Sequence, residues 1–480
     1  MLLSRASYYF SYNFLIVFLS SLVFKAFPLH GDERPNFVVI LCDDLGYGDI
    51  SCYGNKIIKT PNIDRLASQG IRFTDYYSPS PVCSPSRVGL LTGRTPNRAG
   101  IYDWIPSGTQ FHLEEKEFTI PKMLKRAGYA TCMSGKWHCN GKFNKKSQPQ
   151  PGDFGFDHWF ATQNNAAPSH RNPKNFVRNG EGVGELEGFS CRIVAEEANR
   201  WIENHVTETP DQPFFTFIAF HEPHEPISSP ESMISNYPNA QKKGEALYYA
   251  NVENMDFAVG MIMDCLNRNK VAENTLVIFT SDNGPETLNR YGGAWRSHGS
   301  PGVLRGMKLH THEAGIRVPG VMRWPLQIKA GQVSDEPVNS LDLMPTFANL
   351  AAGEIPIDIQ LDGTDIVNAF GKDEVIRKRP MFWCYYSALN KSKVALRDGN
   401  WKLLASLKSK NDKYLKIRSL NKSNYDLVKT AKLVDFELYN IGNDNDESLN
   451  LVDKNHDEFK RLSEAMRMMF DEVLKDSKIW

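Results

Sequence analysis

The chain has 480 residues and a mass of 54.4 kDa, with 41% hydrophobic and 23% charged side chains; that mixture supplies a large apolar core and excludes a disordered, collagenous or coiled-coil protein. Its 56 Lys and Arg balance its 56 Asp and Glu, so general nucleic-acid binding, which needs clustered cations to neutralise phosphates, is excluded too. Eight cysteines are too few for a disulfide scaffold, and none has a CxxC zinc spacing.

Arg5 is followed by Phe14 to Phe24, eleven residues without a charge. That run is too short to span a bilayer but fits the apolar region of a secretory signal peptide. Residues 1–31 are therefore expected to be a signal peptide, cut between Ala26 and Gly31, with an uncleaved anchor as the alternative. No second apolar run approaches transmembrane length. The reading is an exported protein (periplasmic or extracellular, lysosomal if the source is an animal) with no stable membrane insertion.

Pro35 to Leu41 is a short apolar run typical of a buried strand, and it ends in Asp43-Asp44. Thr60-Pro61 marks a helix start, with Ile63, Leu66 and Ala67 on one face. Helical stretches follow at 118–127, 191–205 and 247–267, alternating with strand runs at 129–133, 214–220 and 275–280. This alternation predicts an α/β fold with a large, mostly parallel central sheet flanked by helices. From about residue 370 the pattern changes to short strand-like pieces at 381–385, 393–396, 401–404 and 437–440, then an amphipathic helix over 455–474. The expected division is a main domain over 32–370 and a small C-terminal α+β subdomain, an antiparallel sheet plus helix, over 371–480. The Lys- and Asn-rich stretch 407–431 reads as a solvated loop.

Four of the strand runs end in dense polar groups: Asp43-Asp44, Gly135-Lys136-Trp137-His138, His221-Glu222-Pro223-His224 and Asp282-Asn283-Gly284. Ligands of open α/β sheets bind beyond the carboxyl ends of the strands. The carboxylate and amide oxygens of Asp43, Asp44, Asp282 and Asn283 suit calcium or magnesium rather than zinc. Arg87, Lys136 and Lys308, with His138 and His221, make the same pocket attractive to an anion. A metal with several cations around it stabilises charge on a transferring phosphoryl or sulfuryl group.

The segment Pro81-Val-Cys83-Ser84-Pro85-Ser86-Arg87-Val-Gly-Leu-Leu-Thr92-Gly93-Arg94 resembles the signature of the type I, formylglycine-dependent sulfatases. Further motifs of that family fall in order. They are Cys42-Asp43-Asp44-Leu-Gly-Tyr-Gly-Asp, Gly135-Lys136-Trp137-His138, His221-x-Pro-His224, Ser281-Asp282-Asn283-Gly284, Leu304-Arg-Gly-x-Lys308 and Glu313-Ala-Gly-Ile-Arg317-Val-Pro319. The likeness extends through Glu437-Leu-Tyr-Asn440 and Asn450-Leu451, and Glu-Ala-Gly stands where Glu-Gly-Gly is usual.

The resemblance implies a sulfuric ester hydrolase in which a maturation enzyme oxidises Cys83 to formylglycine. The hydrated aldehyde then attacks sulfur and afterwards expels sulfate. It also implies one calcium ion held by Asp43, Asp44, Asp282, Asn283 and modified Cys83. Arg87 would orient the diol, Lys136 and Lys308 would bind sulfate oxygens, and Asp282 would be the base toward the attacking hydroxyl. His221, with Lys308, would be the acid for the leaving oxygen and His138 the base. Substrate contacts are expected from Lys136, His221, His298 and Lys308. Trp104, His112, His170, His224, Trp295 and His298 are candidates for a specificity wall suited to a sulfated carbohydrate, either a polysaccharide or a glycosaminoglycan fragment. Two alternatives stand beside this reading. One is a phosphodiester or phosphonate monoester hydrolase of the same alkaline-phosphatase-like superfamily, which would place Asp-His at 282–283. The other is a non-catalytic protein that binds sulfated glycans.

Overall fold

The run expected at 35–41 is strand β1 (Asn36–Asp43), buried at every residue but its first, in a computed structural model that describes residues 34–371 and 373–480. The expected signal peptide lies outside the described residues. Ten further strands complete the sheet around β1. They are β2 (Ile71–Tyr77), β3 (Ala130–Lys136), β4 (His158–Thr162), β5 (Val177–Arg178), β6 (Glu181–Gly182), β7 (Phe214–Pro223), β8 (Thr275–Ser281), β9 (Arg317–Arg323), β10 (Gln332–Ser334) and β11 (Val338–Asn339). Their order is β10-β2-β9-β8-β1-β7-β3-β4-β5-β6, with β11 also paired to β2. The four central strands β8, β1, β7 and β3 are mutually parallel, whereas β9 runs antiparallel to both β8 and β2.

Side chains alternate across a strand, and here both faces are dry. Phe37, Val39 and Leu41 of β1 join Phe215 and Phe217 of β7 in one core. Val38, Ile40 and Cys42 join Ile218 and Phe220 in the other. Helix Ser190–Glu208 covers the second face through Cys191, Val194, Ala198 and Ile202, spaced three or four residues apart along one stripe. Helix Glu245–Arg268 lies beside it. Helices Cys83–Thr92, Ile120–Arg126 and Leu343–Ala351 cover the first face. A strand buried on both sides is a continuous apolar run, which is why β1, β7 and β8 read as such in the sequence.

A second, antiparallel sheet has the order β12 (Met381–Cys384), β13 (Val394–Asp398), β14 (Trp401–Lys408), β15 (Lys432–Asn440). Helix His456–Asp476 packs on one of its faces through Leu462, Met466, Phe470 and Val473. The other face brings Trp383, Ala395, Leu404 and Tyr439 against Tyr77 and Ile316 of the main body. The fold is thus the expected α/β class with a small antiparallel sheet and helix.

One expectation needs correcting. The stretch 407–431 is not simply a solvated loop, because Leu415, Leu420 and Val428 are buried in the core beneath the second sheet and Tyr425–Lys429 is helical. Its buried apolar residues, Leu407, Leu415, Leu420 and Val428, stand five to eight positions apart among lysines and asparagines and fit neither a helical nor a strand period. Among the described residues no helix is long and apolar enough to cross a membrane, and the eight cysteines form no disulfide.

Candidate active site

Because β8, β1, β7 and β3 are parallel, their carboxyl ends open on one edge of the sheet, and there they deliver Asp282 and Asn283, Asp43 and Asp44, His221, and Lys136 with His138. Gly135, just before Lys136, has φ +112°, and a Cβ there would lie 1.9 Å from the Ala219 carbonyl oxygen. Only glycine lets β3 approach β7 so closely at this point. Helix Cys83–Thr92 is inserted beneath that edge with all ten residues buried. Cys83 is its first residue, and Arg87, four residues on, presents to the same side. The non-glycine residues Asp44 (φ +64°), His138 (φ +53°) and Leu309 (φ +68°) are left-handed. Such positions are strained, and they cluster around functional centres.

The side chains interlock. Cys83 Sγ lies 3.4 Å from Asp43 Oδ1, and Lys136 Nζ donates to Asp43 Oδ2 at 2.5 Å. Lys308 Nζ lies 2.6 Å from Asp44 Oδ1 and 2.7 Å from its Oδ2. Arg87 holds Asp282 Oδ2 through Nε at 2.9 Å and Nη2 at 2.8 Å, while Nη1 donates to the Lys136 carbonyl at 2.8 Å. Asn283 Nδ2 donates to Asp44 Oδ1 (2.7 Å) and to the Gly284 carbonyl (2.8 Å). Both partners are acceptors, so the orientation of the amide is fixed. Its Oδ1 is buried and has no partner. One donor atom from each of Asp43, Asp44, Cys83 and His224 lies within 4.8 Å of the others, a grouping able to hold a metal ion. Three buried carboxylates and an orphaned amide oxygen are the donor set of a hard cation.

Burial shifts the titrations. The Cys83 thiol is pushed far above its ordinary value by burial, although Lys136 and Lys308 pull the other way. As a thiol it is therefore a poor nucleophile. Asp43 is also buried, but Lys136 leads a group of cations that hold it well below the usual range. Asp44 is pushed up to about 6 and Asp282 to about 7, chiefly by burial, with Asp43 adding to both. His138 and His221 are held well below their usual value, both by burial first, then His138 by Lys136 and His221 by His170 and Lys136, which favours the neutral imidazoles.

A cavity of about 830 Å³ opens above this centre, with Cys83, His138, His224 and Lys308 in its lining. His221 lies beneath that surface, its Nε2 2.8 Å from Thr162 Oγ1. Thr162 went unnoticed in the sequence because β4 is too short and too mixed to stand out. Of the candidate wall, Trp104 and His224 line the cavity. The other four do not. His170 is fully buried against Glu222, His112 meets Trp480 edge-on, and Lys243 and Arg296 both lie over the Trp295 ring. His298, expected to contact substrate, instead has its Nε2 2.9 Å from the Lys243 carbonyl, away from the cavity lining. Closeness in sequence to a motif does not fix the direction of a loop side chain. Residues that sequence reasoning missed include Asp103, Tyr291, Tyr385, Lys416 and Arg418, all of which line the cavity.

A metal-competent carboxylate cluster and matched cations at the carboxyl edge of an α/β sheet define a hydrolase of anionic esters. Residues 35–354 match the family model described as Sulfatase, and residues 307–476 match one described as N-sulphoglucosamine sulphohydrolase, C-terminal. The chain belongs to the sulfatase family and is a sulfuric ester hydrolase. It is 35% identical over 392 residues to arylsulfatase A of Homo sapiens, spanning 77% of this chain and 74% of that protein. It is 34% identical over 376 residues to N-acetylgalactosamine-6-sulfatase of Rattus norvegicus (73% and 68%), and 31% identical over 417 residues to human steryl-sulfatase (70% of each). Among solved structures it resembles Ps i-CgsB in complex with k-i-k-neocarrahexaose, with a TM-score of 0.76, 28% identity, and coverage of 93% of this chain and 94% of that one.

Proposed function

We propose that this enzyme removes sulfate from a sulfated carbohydrate, a polysaccharide or glycosaminoglycan fragment, with Cys83 oxidised to formylglycine by a maturation enzyme and one calcium ion held by Asp43, Asp44, Asp282, Asn283 and modified Cys83. Export to the periplasm or an extracellular compartment belongs to the same proposal. So does the division at about residue 370, with the second unit contributing Tyr385, Lys416 and Arg418 to the cavity wall. The observation that carries the reading is the position of Cys83: the floor of a roomy cavity, beside Asp43 and among matched cations. Hydrated formylglycine supplies an oxygen nucleophile with a second hydroxyl that allows sulfate to leave, and calcium supplies charge against the sulfate oxygens.

The remaining work falls to side chains already in place. Three carboxylates (Asp43, Asp44, Asp282) face three cations (Arg87, Lys136, Lys308), so a divalent ion gives the centre a positive surplus for an incoming anionic ester. Arg87 is held to Asp282 by the Nε hydrogen bond and the Nη2 ion-pair contact, and to the Lys136 carbonyl through Nη1, and so presents its guanidinium beside residue 83. Lys136 and Lys308 bind sulfate oxygens. Asp44 holds Lys308 charged, so Lys308 has the proton for the leaving alcohol oxygen, and His221 joins it as an acid once its bare Nδ1 has taken up a proton. His138 Nε2 faces the Ile105 carbonyl at 3.2 Å, so it carries the hydrogen. Its Nδ1 is left bare, buried and without a partner, which suits a base. His298 is not part of this set.

Support for carbohydrate comes from the cavity wall, where the exposed rings of Trp104 and Tyr291 stand beside the amides of Asn164 and Asn165. Rings offer stacking faces and amides bind hydroxyls. The relatives include one named for N-acetylgalactosamine 6-sulfate and one solved with a neocarrahexaose. The test is a desulfation screen on defined sulfated saccharides, with an aryl sulfate and a phosphodiester alongside, reading released sulfate by ion chromatography. Sulfate release from a saccharide is the expected result. Turnover of the phosphodiester alone would favour the alternative hydrolase, and turnover of the aryl sulfate with no saccharide would remove the carbohydrate assignment.

A further inference from the structure

Two cations in the cavity wall have no part in the chemistry above. Lys416 and Arg418 stand two residues apart in the segment between β14 and the helix Tyr425–Lys429, and both are exposed toward the cavity. Their segment is fixed. Leu415 and Leu420 on either side are buried in the C-terminal core, the Leu415 amide donates to the Leu407 carbonyl at 2.8 Å, and Ser387 Oγ donates to the Ile417 carbonyl at 2.9 Å.

Exposed cations are ordinary on a protein surface. What distinguishes this pair is the company in the same cavity. Lys308 is matched by Asp44, and Arg290 donates to both oxygens of Glu286 at 2.6 and 2.7 Å. Lys416 and Arg418 form no side-chain hydrogen bond or ion pair among the described residues. Asp103, the other carboxylate in the lining, is near enough to feel the charge of Arg418 but makes no contact ion pair with it, its Oδ1 being engaged by the Trp104 amide and the Tyr385 hydroxyl, each at 2.9 Å. A chain with no net charge therefore gathers on one wall of its reaction cavity two positive charges that no contact ion pair or hydrogen bond ties down. At about 830 Å³ the cavity lies toward the upper end of the range for ligand pockets, and a single sulfate fills only a small part of it.

We propose that Lys416 and Arg418 form a second anion subsite, which binds a sulfate or carboxylate on the sugar next to the one that loses its sulfate. The proposal rests on the sulfatase reading above and narrows its substrate to oligosaccharides carrying at least two anionic groups. Arg418 offers a planar fork suited to either oxyanion, Lys416 adds a point charge, and the exposed face of Trp104 or Tyr291 supports the intervening ring.

The test uses the full chain produced with its maturation enzyme and three disaccharides with the same scissile sulfate. The neighbouring ring is neutral in the first, a uronate in the second and sulfated in the third. The quantity read is the ratio of kcat/KM for an anionic member to that for the neutral one. For the unaltered enzyme the expected ratio is about tenfold or more, carried mainly by KM and reduced by salt. In the double variant Lys416→Ala/Arg418→Ala it should fall to within about twofold of one, while Lys416→Arg should preserve it. Whichever anionic member gives the larger ratio identifies the group bound. A ratio near one in the unaltered enzyme, or one that survives in the double variant, overturns the subsite. An aryl sulfate control separates the two readings. If it is hydrolysed and no second-anion preference exists, only this inference falls; if no sulfate ester of any kind is hydrolysed, the sulfatase reading falls with it.

Discussion

The two active-site histidines are set apart by their partners rather than by their burial, which is equal. Thr162 gives its hydroxyl hydrogen to the Asn164 carbonyl at 2.7 Å. It can therefore only accept from His221, which fixes the hydrogen on Nε2 and leaves Nδ1 bare, buried and without a partner. His138 is fixed in the same tautomer by a backbone carbonyl, from the other side of the centre. If His221 works with Lys308 on the leaving oxygen, its removal should matter most where that oxygen is a poor leaving group. His221→Ala is expected to lower kcat/KM by about a hundredfold or more on a sugar sulfate and by far less on an activated aryl sulfate. His138→Ala should lower both alike. A leaving-group plot across substituted phenyl sulfates and one sugar sulfate decides this, and a steeper dependence for the His138 variant would reverse the roles.

At the scale of elements, what could be read in the sequence followed from burial. Strands β1, β7 and β8 are apolar on both faces, and their polar ends announce the site. Strands β2 and β9 did not stand out. Arg72, Thr74 and Asp75 interrupt the first, and the second carries Pro319 and Gly320, which propensity places outside strands. Gly320 is nonetheless required, because a Cβ there would lie 2.2 Å from the Tyr76 ring. The same strands carry a buried ionic network to the second sheet. Lys402 of β14 lies 2.7 Å from Glu313 and 2.9 Å from Glu447, while Arg317 and Arg397 both reach Asp75. Removing one member strands the others without compensation. Lys402→Ala is therefore expected to destabilise by about 3–5 kcal/mol, read as a lower urea midpoint. The network also predicts a pH trend. Lys402 and the arginines overcome burial and hold Glu313 down to about 2. Burial first, and then Glu313, push Glu447 up to about 7. The native state therefore holds the Glu447 proton more tightly than the unfolded chain does, so stability from this group is lost as pH rises from about 4.5 through 7. Between pH 5 and 8 the midpoint of the unaltered protein should drop more than that of Glu447→Gln, by the equivalent of about 2 kcal/mol. Equal drops would show that Glu447 does not titrate there.

Across the whole molecule, the site residues legible in the sequence are those at strand ends and in the Cys83 segment, where motif and topology coincide. The rest required the fold. His224 was named from its motif, but its approach to 3.5 Å of Asp44 follows from β7 lying beside β1. Lys416 and Arg418 reach the cavity from more than three hundred residues beyond Cys83. The proposed ion would join β1 and β8 through Asp43, Asp44, Asp282 and Asn283, so its loss should be felt as stability as well as activity. Chelation is expected to abolish turnover and lower Tm, with calcium restoring both. At a free concentration of one hundred times Kd the ion contributes about 2.7 kcal/mol. Restoration by zinc and not by calcium would contradict the assigned ligand chemistry.

Cys83 is the residue proposed to carry the nucleophile, and the direct measurement is the mass of the proteolytic peptide containing residue 83, taken from preparations of graded specific activity. The expected result is that the aldehyde form rises in proportion to sulfate release, while Cys83→Ala folds with an unaltered Tm and loses at least about a thousandfold in turnover. A fully active preparation whose peptide retains the free thiol would contradict it.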